Sequence, residues 1–411
     1  MQHIPFIGLI QLPVRLSAFL MYIVYLGLTP LAADEPRHEA EFIFPLHPKH
    51  NHAPGIVESS NGDLLVSWYR GSGERRSDDV AVYGARRRAG ASNWSNAFLM
   101  ADHPGFPDCN TCMMIDAKQR LWLFWPIIID NNWESCLTNF LVSQNYAAKG
   151  SPKWDHRGVI FLKPDDFKES LMQNIKDEFS EWDTISEGRA KRLYDELDRR
   201  SSEKLYQRLG WQPRCKPTVL PSGRILLPLY SDTFSICLMA ISDDGGLNWY
   251  ASKPLMGVGA IQASVLRRDD GTLVAYMREN GPKGHIRVCE SKDDGITWGP
   301  VGVSELPNPG AGVDGVRLAN GHWLLVYNDQ KRGRNSLAVS ISDDEGRTWK
   351  WTRHLEKHKR GSYHYPCVIQ GRDGTIHSVY SYFSGDPERK GKTMKHAAFN
   401  EAWVVAGDAA E

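Results

Sequence analysis

Ser242-Asp243-Asp244-Gly245-Gly246-Leu247-Asn248-Trp249 follows the pattern Ser-x-Asp-x-Gly-x-x-Trp. The pattern returns at Ser291, Asp293, Gly295 and Trp298, and again at Ser342, Asp344, Gly346 and Trp349. Its tryptophans are 49 and then 51 residues apart. Self-similarity at a fixed period of this size marks a repeat architecture. Each copy has a physical logic. The Ser and Asp side chains can bond backbone N–H groups in a tight turn, Gly takes the position of positive φ, and Trp packs the turn against the strand behind it.

The pattern resembles the Asp-box of the sialidase (neuraminidase) superfamily, whose fold is a six-bladed β-propeller. The resemblance covers roughly residues 42–400. In that family the boxes sit on outer turns, away from the active centre, so they speak to fold rather than to function. Around them the apolar runs have strand length and end in turn signals. Blade one reads from Pro54 through Leu64–Trp68 and Val80–Tyr83, and blade two from Cys112 through Leu121–Trp125 and Leu137–Val142. Blades three to six begin at Thr218, Ala263, Val313 and Pro366. The expected fold is all-β, a single sialidase-like propeller over residues 34–411. An isolated strand at Ala40–Pro45 is expected to close the ring. Residues 165–209 break the rhythm: Phe167, Leu171 and Ile175, then Ala190, Leu193, Tyr194 and Leu197, recur at helical spacing. They predict a helical hairpin inserted between blades two and three, serving as a packing element on the propeller side or as a wall of the cleft.

Residues 1–33 stand apart. Arg15 precedes an apolar run, Leu16 to Leu28, and Leu31-Ala32-Ala33 offers small residues before Asp34. This predicts a signal peptide cleaved near Ala33 and a secreted or periplasmic protein, with an uncleaved membrane anchor as the alternative. Lys and Arg together number 49, as do Asp and Glu, so no attraction to nucleic acid or to a membrane surface is implied. The seven cysteines (109, 112, 136, 215, 237, 289 and 367) include one close pair, Cys109-x-x-Cys112. No second pair or spaced histidine completes a metal set, so buried thiols or one local disulfide are expected, and no metal or cofactor.

In a propeller, residues just before each innermost strand converge on the axis. The same offset in each blade gives His52, Asn110, Lys216, Gln262, Asp314 and Tyr365. Six polar residues at equivalent points form the convergent cluster expected of a binding site, with Cys109 and Cys112 beside it. The resemblance adds roles. Sialidases hold the substrate carboxylate with three arginines; Arg278 matches the second and Arg334 the third. The first is missing, because its motif reads His52-Ala53-Pro54; a protonated His52 would replace it in part. Tyr365 matches the family's nucleophile, with Tyr363 as the nearby rival. The acid/base position falls on the loop after the blade-one hairpin, where Glu74 comes first and Asp78 second. The carboxylate that activates the nucleophile is expected near Ala260 or Gln262, and neither is an acid.

Two surviving arginines still make a carboxylate clamp, so an acidic oligosaccharide or polysaccharide is the expected partner. Three functions fit. One is a glycoside hydrolase removing a terminal acidic sugar, with Tyr365, Glu74 and His52 as catalytic residues and Arg278, Arg334, Asn110, Lys216, Gln262 and Asp314 binding substrate. The second is a uronate polysaccharide lyase with His52 and Tyr365 as base and acid. The third is a propeller that only binds glycans.

Overall fold

The computed structural model describes Met1, residues 35–180 and residues 186–409; the expected signal peptide or anchor lies outside the described residues. Six antiparallel sheets of four or five strands follow one another around a ring. Blade one is His50–Glu58, Leu64–Gly71, Ala81–Arg87 and Phe98–Ala101; blade two is Cys112–Ile115, Leu121–Ile128, Cys136–Ser143 and His156–Val159. Blades four and five run from Ala260–Arg267 to Gly302–Pro307 and from Asp314–Arg317 to Trp351–Lys357. Blade six is Ser362–Gln370, Ile376–Phe383 and Lys392–Phe399, and its fourth strand is His38–Phe42, with His38 opposite Phe399. The ring-closing strand therefore starts two residues earlier than its sequence signal.

Each sheet buries both faces against its neighbours, which is why strands such as Ile236–Ser242 are buried along their whole length. Six apolar clusters occupy the six blade-to-blade interfaces. A seventh, smaller one lies on the axis and contains Ala53, Tyr69, Cys109, Cys136 and Tyr365. The Asp-boxes hold these interfaces from outside. Ser242 Oγ accepts from the Gly246 N–H (2.8 Å), and Asp244 Oδ1 accepts from Leu247 and Asn248 N–H (2.9 Å each). Gly246 has φ +90°, and a Cβ there would meet Trp122 of the preceding blade at 2.2 Å, so only glycine fits.

Blade three departs from the expected start at Thr218. Its inner strand begins at Trp211–Pro213, breaks, and resumes at Thr218–Val219, both pieces pairing with Ile225–Ser231. Pro213 and Pro217 flank the break and supply no N–H to the ladder. The interruption leaves Arg214, Cys215 and Lys216 free of regular pairing, at the axis.

The insert forms helices Phe167–Ser180, Glu187–Ser202 and Lys204–Arg208. Phe167, Leu171, Met172, Ile175 and Leu197 pack with Trp211 and Phe234 against blades two and three. Glu178 reaches blade four, bonding buried Arg287 at 2.7 Å. Among the described residues no helix is long and apolar enough to cross a membrane.

Candidate functional site

Four inner strands carry a non-glycine residue in the left-handed region near their start: Ala53 (φ 52°), Asn110 (φ 37°), Gln262 (φ 59°) and Tyr365 (φ 55°). Three of these coincide with register shifts, between His52 and Gly55, Ile261 and Ser264, and His364 and Cys367. A bulge adds a residue to one strand and re-aims its side chain. The conformation costs on the order of 1–3 kcal/mol per residue and persists where the surroundings impose it. Here it turns Asn110, Gln262 and Tyr365 toward the axis.

Tyr365 is the centre of the site. Arg278 Nη1 donates to its hydroxyl at 2.8 Å and Gln262 Nε2 at 3.2 Å. The guanidinium carbon of Arg334 lies 5.7 Å from its ring centroid, and that of Arg214 lies 4.9 Å from it. The other bonds of these arginines go to neutral acceptors: Arg278 to Asn280, Arg334 to the Gly310 carbonyl and Arg214 to the Pro366 carbonyl. Arg214 is 1% exposed, and its Nε and Nη1 have no partner. Burial, and then the Arg278 charge, pull the Arg334 guanidinium down from its ordinary value. Among the described residues no carboxylate bonds any of these three guanidinium groups, an arrangement that is costly unless an anion joins them.

One flank is aromatic and basic. His52 stacks on Tyr365 at 4.3 Å and meets His364 edge-on at 4.7 Å. His52 Nδ1 lies 2.7 Å from Ser381 Oγ, which also accepts the Ala53 N–H. With its own proton and a second lone pair, the Ser381 hydroxyl can meet either tautomer of the ring. Burial, then the charges of His364, His50, Arg334 and Arg214, push His52 well below its ordinary range. That direction, burial first and the neighbouring charges after it, works against the expected protonated His52. Glu74 accepts from Tyr69 at 2.9 Å and pairs with His50 at 3.1 Å. Burial alone would raise its carboxyl, but the bond and charge from His50, the Tyr69 bond and the Arg75 charge together lower it.

The other flank holds Asn110, which donates to Gln212 (3.0 Å) and Tyr230 (3.1 Å). Lys216 and Asp314 are not level with Tyr365. Gly312 occupies that level in blade five, since a Cβ on it would lie 3.3 Å from both Gln262 and Tyr365. Lys216 and Asp314 lie two residues deeper, paired to each other at 2.6 Å, with Asp314 also bonded to Ser264 and the Val368 N–H. Of the rivals, Tyr363 is packed between blades five and six, and Asp78 bonds Asn131 on the exposed rim. All seven cysteines are buried and unpaired, so no local disulfide joins Cys109 to Cys112.

Two residues at the site carried no recognisable signal. Arg214 projects from the blade-three break, two residues before the position expected to face the axis. Asp232 follows the next strand, half-buried, and accepts from Gln212 Nε2 at 2.9 Å. Burial raises its carboxyl, opposed by the charges of Arg278 and Arg75.

A BNR repeat-like domain matches residues 210–378. The chain is similar to a sialidase of Micromonospora viridifaciens, 27% identical over 173 residues, which is 40% of this chain and 25% of that protein. It spans about a quarter of the length of the curated relatives it matches. Among solved structures, a protein of unknown function from Dyadobacter fermentans superposes with TM-score 0.67 at 16% identity, covering 89% of this chain and 99% of that one. A leech intramolecular trans-sialidase does so with TM-score 0.67 at 12% identity, covering 90% and 71%.

Proposed function

We propose that this chain, a sialidase-like member of the BNR-repeat superfamily, is an exported glycoside hydrolase that removes a terminal acidic sugar, of sialic or uronic acid type, from glycans. The observation that carries this reading is the convergence of Arg214, Arg278 and Arg334 on Tyr365 with no carboxylate bonded to any of them among the described residues. Arg278 and Arg334, both half-buried, hold the sugar carboxylate, and Arg214 adds its charge from below the Tyr365 ring. Tyr365 lies at the reacting carbon, where a carboxylate nucleophile would meet the charge of an acidic sugar. His52 hydrogen-bonds the substrate from its flank of Tyr365, and Glu74 performs proton transfer.

A second reading is favoured by one observation: the group beside the Tyr365 hydroxyl is the amide of Gln262, which cannot take its proton. In a uronate lyase the guanidinium groups would neutralise the carboxylate and acidify the adjacent C–H, with His52 and Tyr365 moving the proton.

Incubation with sialosides and with uronate polysaccharides separates the readings. Hydrolysis releases free sugar without ultraviolet absorbance, whereas a lyase leaves an unsaturated, absorbing uronate. Binding without either product would leave a glycan-binding propeller and refute both.

A further inference from the structure

The strand that closes the ring sets a carboxylate against a pair of histidines. Glu41 of His38–Phe42 stands opposite His396 in the sheet register, and His396 Nδ1 lies 3.5 Å from its carboxylate. The same carboxylate oxygen accepts from Arg87 at 2.8 Å and from Trp94 at 3.0 Å, both of blade one. On the other side of the ring, His396 Nε2 lies 3.0 Å from Nδ1 of His377, and the two imidazoles stack at 5.2 Å. His396 is 1% exposed and His377 6%. Both stand at the wall of a groove of about 740 Å³ between blades six and one.

We propose that this histidine pair is an acid-sensitive latch: proton uptake at His377 and His396 frees the closing strand and parts blade six from blade one. A carboxylate only accepts, so the neutral His396 ring carries its proton on Nδ1, facing Glu41. Its Nε2 then accepts from the Nδ1–H of His377. A first added proton goes to His377 Nε2, the lone pair left over in this chain of bonds. A second has only His396 Nε2, where it would set two N–H groups against each other at 3.0 Å. The closed seam therefore holds at most one added proton, and the open seam holds two. The candidate site spans the same seam: His52 of blade one meets Ser381 of blade six at 2.7 Å and stacks on Tyr365 at 4.3 Å. Opening the seam takes that site apart, whether it cleaves sugars or only binds them.

The charges around the pair come from every element packed on it. Arg87 faces both histidines from blade one, Asp373 faces His377 from a turn of blade six, and Glu39 and Glu41 face His396 from the closing strand. Glu58, Arg88 and Arg372 also line the groove. Burial comes first for both rings: His377 is pushed down to about 3, and His396 is lowered although Glu41 opposes it. Folded values below the unfolded one mean stability that is present above the ordinary histidine value and lost as pH falls, so acid favours the open seam. Glu41, held down by the His396 bond first and then by Trp94 and Arg87, acts with the same sign in the carboxylate range. His38, stacked on Trp403 at 4.3 Å and lowered by burial, also takes up a proton on opening.

The test is amide hydrogen exchange of the full chain near pH 7.5 and near pH 5, with rates corrected for their intrinsic pH dependence. It compares the wild type, His377→Gln, and His377→Gln combined with His396→Gln. A glutamine at 377 can still donate to His396 and no longer titrates. In the wild type the opening constant of residues 38–42 should rise at least about thirtyfold at the lower pH, the share of His377 alone. There these amides should also exchange faster than those of Ile236–Ser242, the sign of a local opening. In His377→Gln the rise should be about thirtyfold smaller, and in the double variant smaller again, leaving the part due to His38 and Glu41. The latch is overturned if the wild-type rise is under about tenfold, if the variants keep the wild-type rise, or if the seam and Ile236–Ser242 exchange together at both pH values. The wild-type reading decides by itself should a variant fail to fold, and no glycan enters the measurement.

Discussion

Gln262→Glu exchanges an amide for a carboxylate of the same shape at the most cationic point of the molecule. Gln262 is 2% exposed, and its Oε1 has no hydrogen-bond partner. It faces the same Cβ-less side of Gly312 as Arg214 Nε, itself without a partner. Burying a new carboxylate ordinarily costs several kcal/mol. Here it enters between guanidinium groups that have only neutral acceptors, and each charge-assisted hydrogen bond it gains contributes about 1.5–3 kcal/mol. A lone buried cation that acquires its counter-ion recovers part of the roughly 3–5 kcal/mol that such an unpaired charge costs. The net expectation is stabilisation by about 2 kcal/mol, read as a rise in Tm of about 2–4 °C. The carboxylate also lies where it can take the Tyr365 proton, a contribution of about 10²–10⁴ to the step that needs it. Differential scanning fluorimetry and initial rates on a nitrophenyl sialoside measure the two effects. A lower Tm together with an unchanged rate would refute the idea that this centre is short of negative charge.

Three further outcomes are expected. Arg278→Ala and Arg334→Ala should each weaken an acidic ligand by about 1.5–3 kcal/mol, roughly ten- to a hundredfold, and leave a neutral analogue nearly unchanged; equal losses in calorimetry would contradict a carboxylate clamp. His377, 6% exposed, is pushed down to about 3, chiefly by burial. The unfolded chain therefore binds that proton first, and stability falls as pH drops below the ordinary histidine value. Chemical unfolding at pH 7 and pH 5 should differ by about 2 kcal/mol less in His377→Gln than in the wild type, and an identical difference would count against the assignment. Glu178→Ala leaves fully buried Arg287 with Glu279, at 3.5 Å, as its one carboxylate among the described residues, beside the Val301 and Gly302 carbonyls, and should destabilise by about 3 kcal/mol. Glu178→Gln combined with Arg287→Met should recover most of that loss, and a loss under about 1 kcal/mol for the single variant would mean the insert is not anchored there.

The parts of this fold legible in the sequence are those written in local chemistry. An Asp-box binds its own backbone within eight residues, so Ser242, Asp244, Gly246 and Trp249 announce the turn wherever it sits. Blades one and two lack a complete box, and their signal lies chiefly in apolar runs. Tyr365, Arg278, Arg334 and Gln262 are brought together by the structure, Tyr365 and Gln262 from the bulges of their inner strands. A constant offset along every blade predicts Lys216 and Asp314 level with them. The bulges and the break at 214–217 change that count by two. Arg214 and Asp232 owe their positions to the break and to a hairpin turn, and nothing in their neighbours' residue types records either.

The ring has a consequence for the order in which it is assembled. Its fourth strand of blade six, His38–Phe42, comes from the beginning of the chain, and the Arg37 N–H meets Asn400 across 363 residues of sequence. Bringing such distant segments together carries a loop-closure entropy of about 5 kcal/mol, with no local contact to offset it. On a ribosome, blades one to five receive all their strands as synthesis proceeds. Residues 38–42, made before any of them, have no partner until Lys392–Phe399 has emerged. Until then the wall between blades six and one, with Ile56, Trp68, Val379 and Met394, stands open to water. The waiting strand reads His-Glu-Ala-Glu-Phe and stays mostly exposed even when docked. Charges on such an edge discourage pairing with other chains. The clasp of the ring is built from residues that tolerate water for the whole time of synthesis.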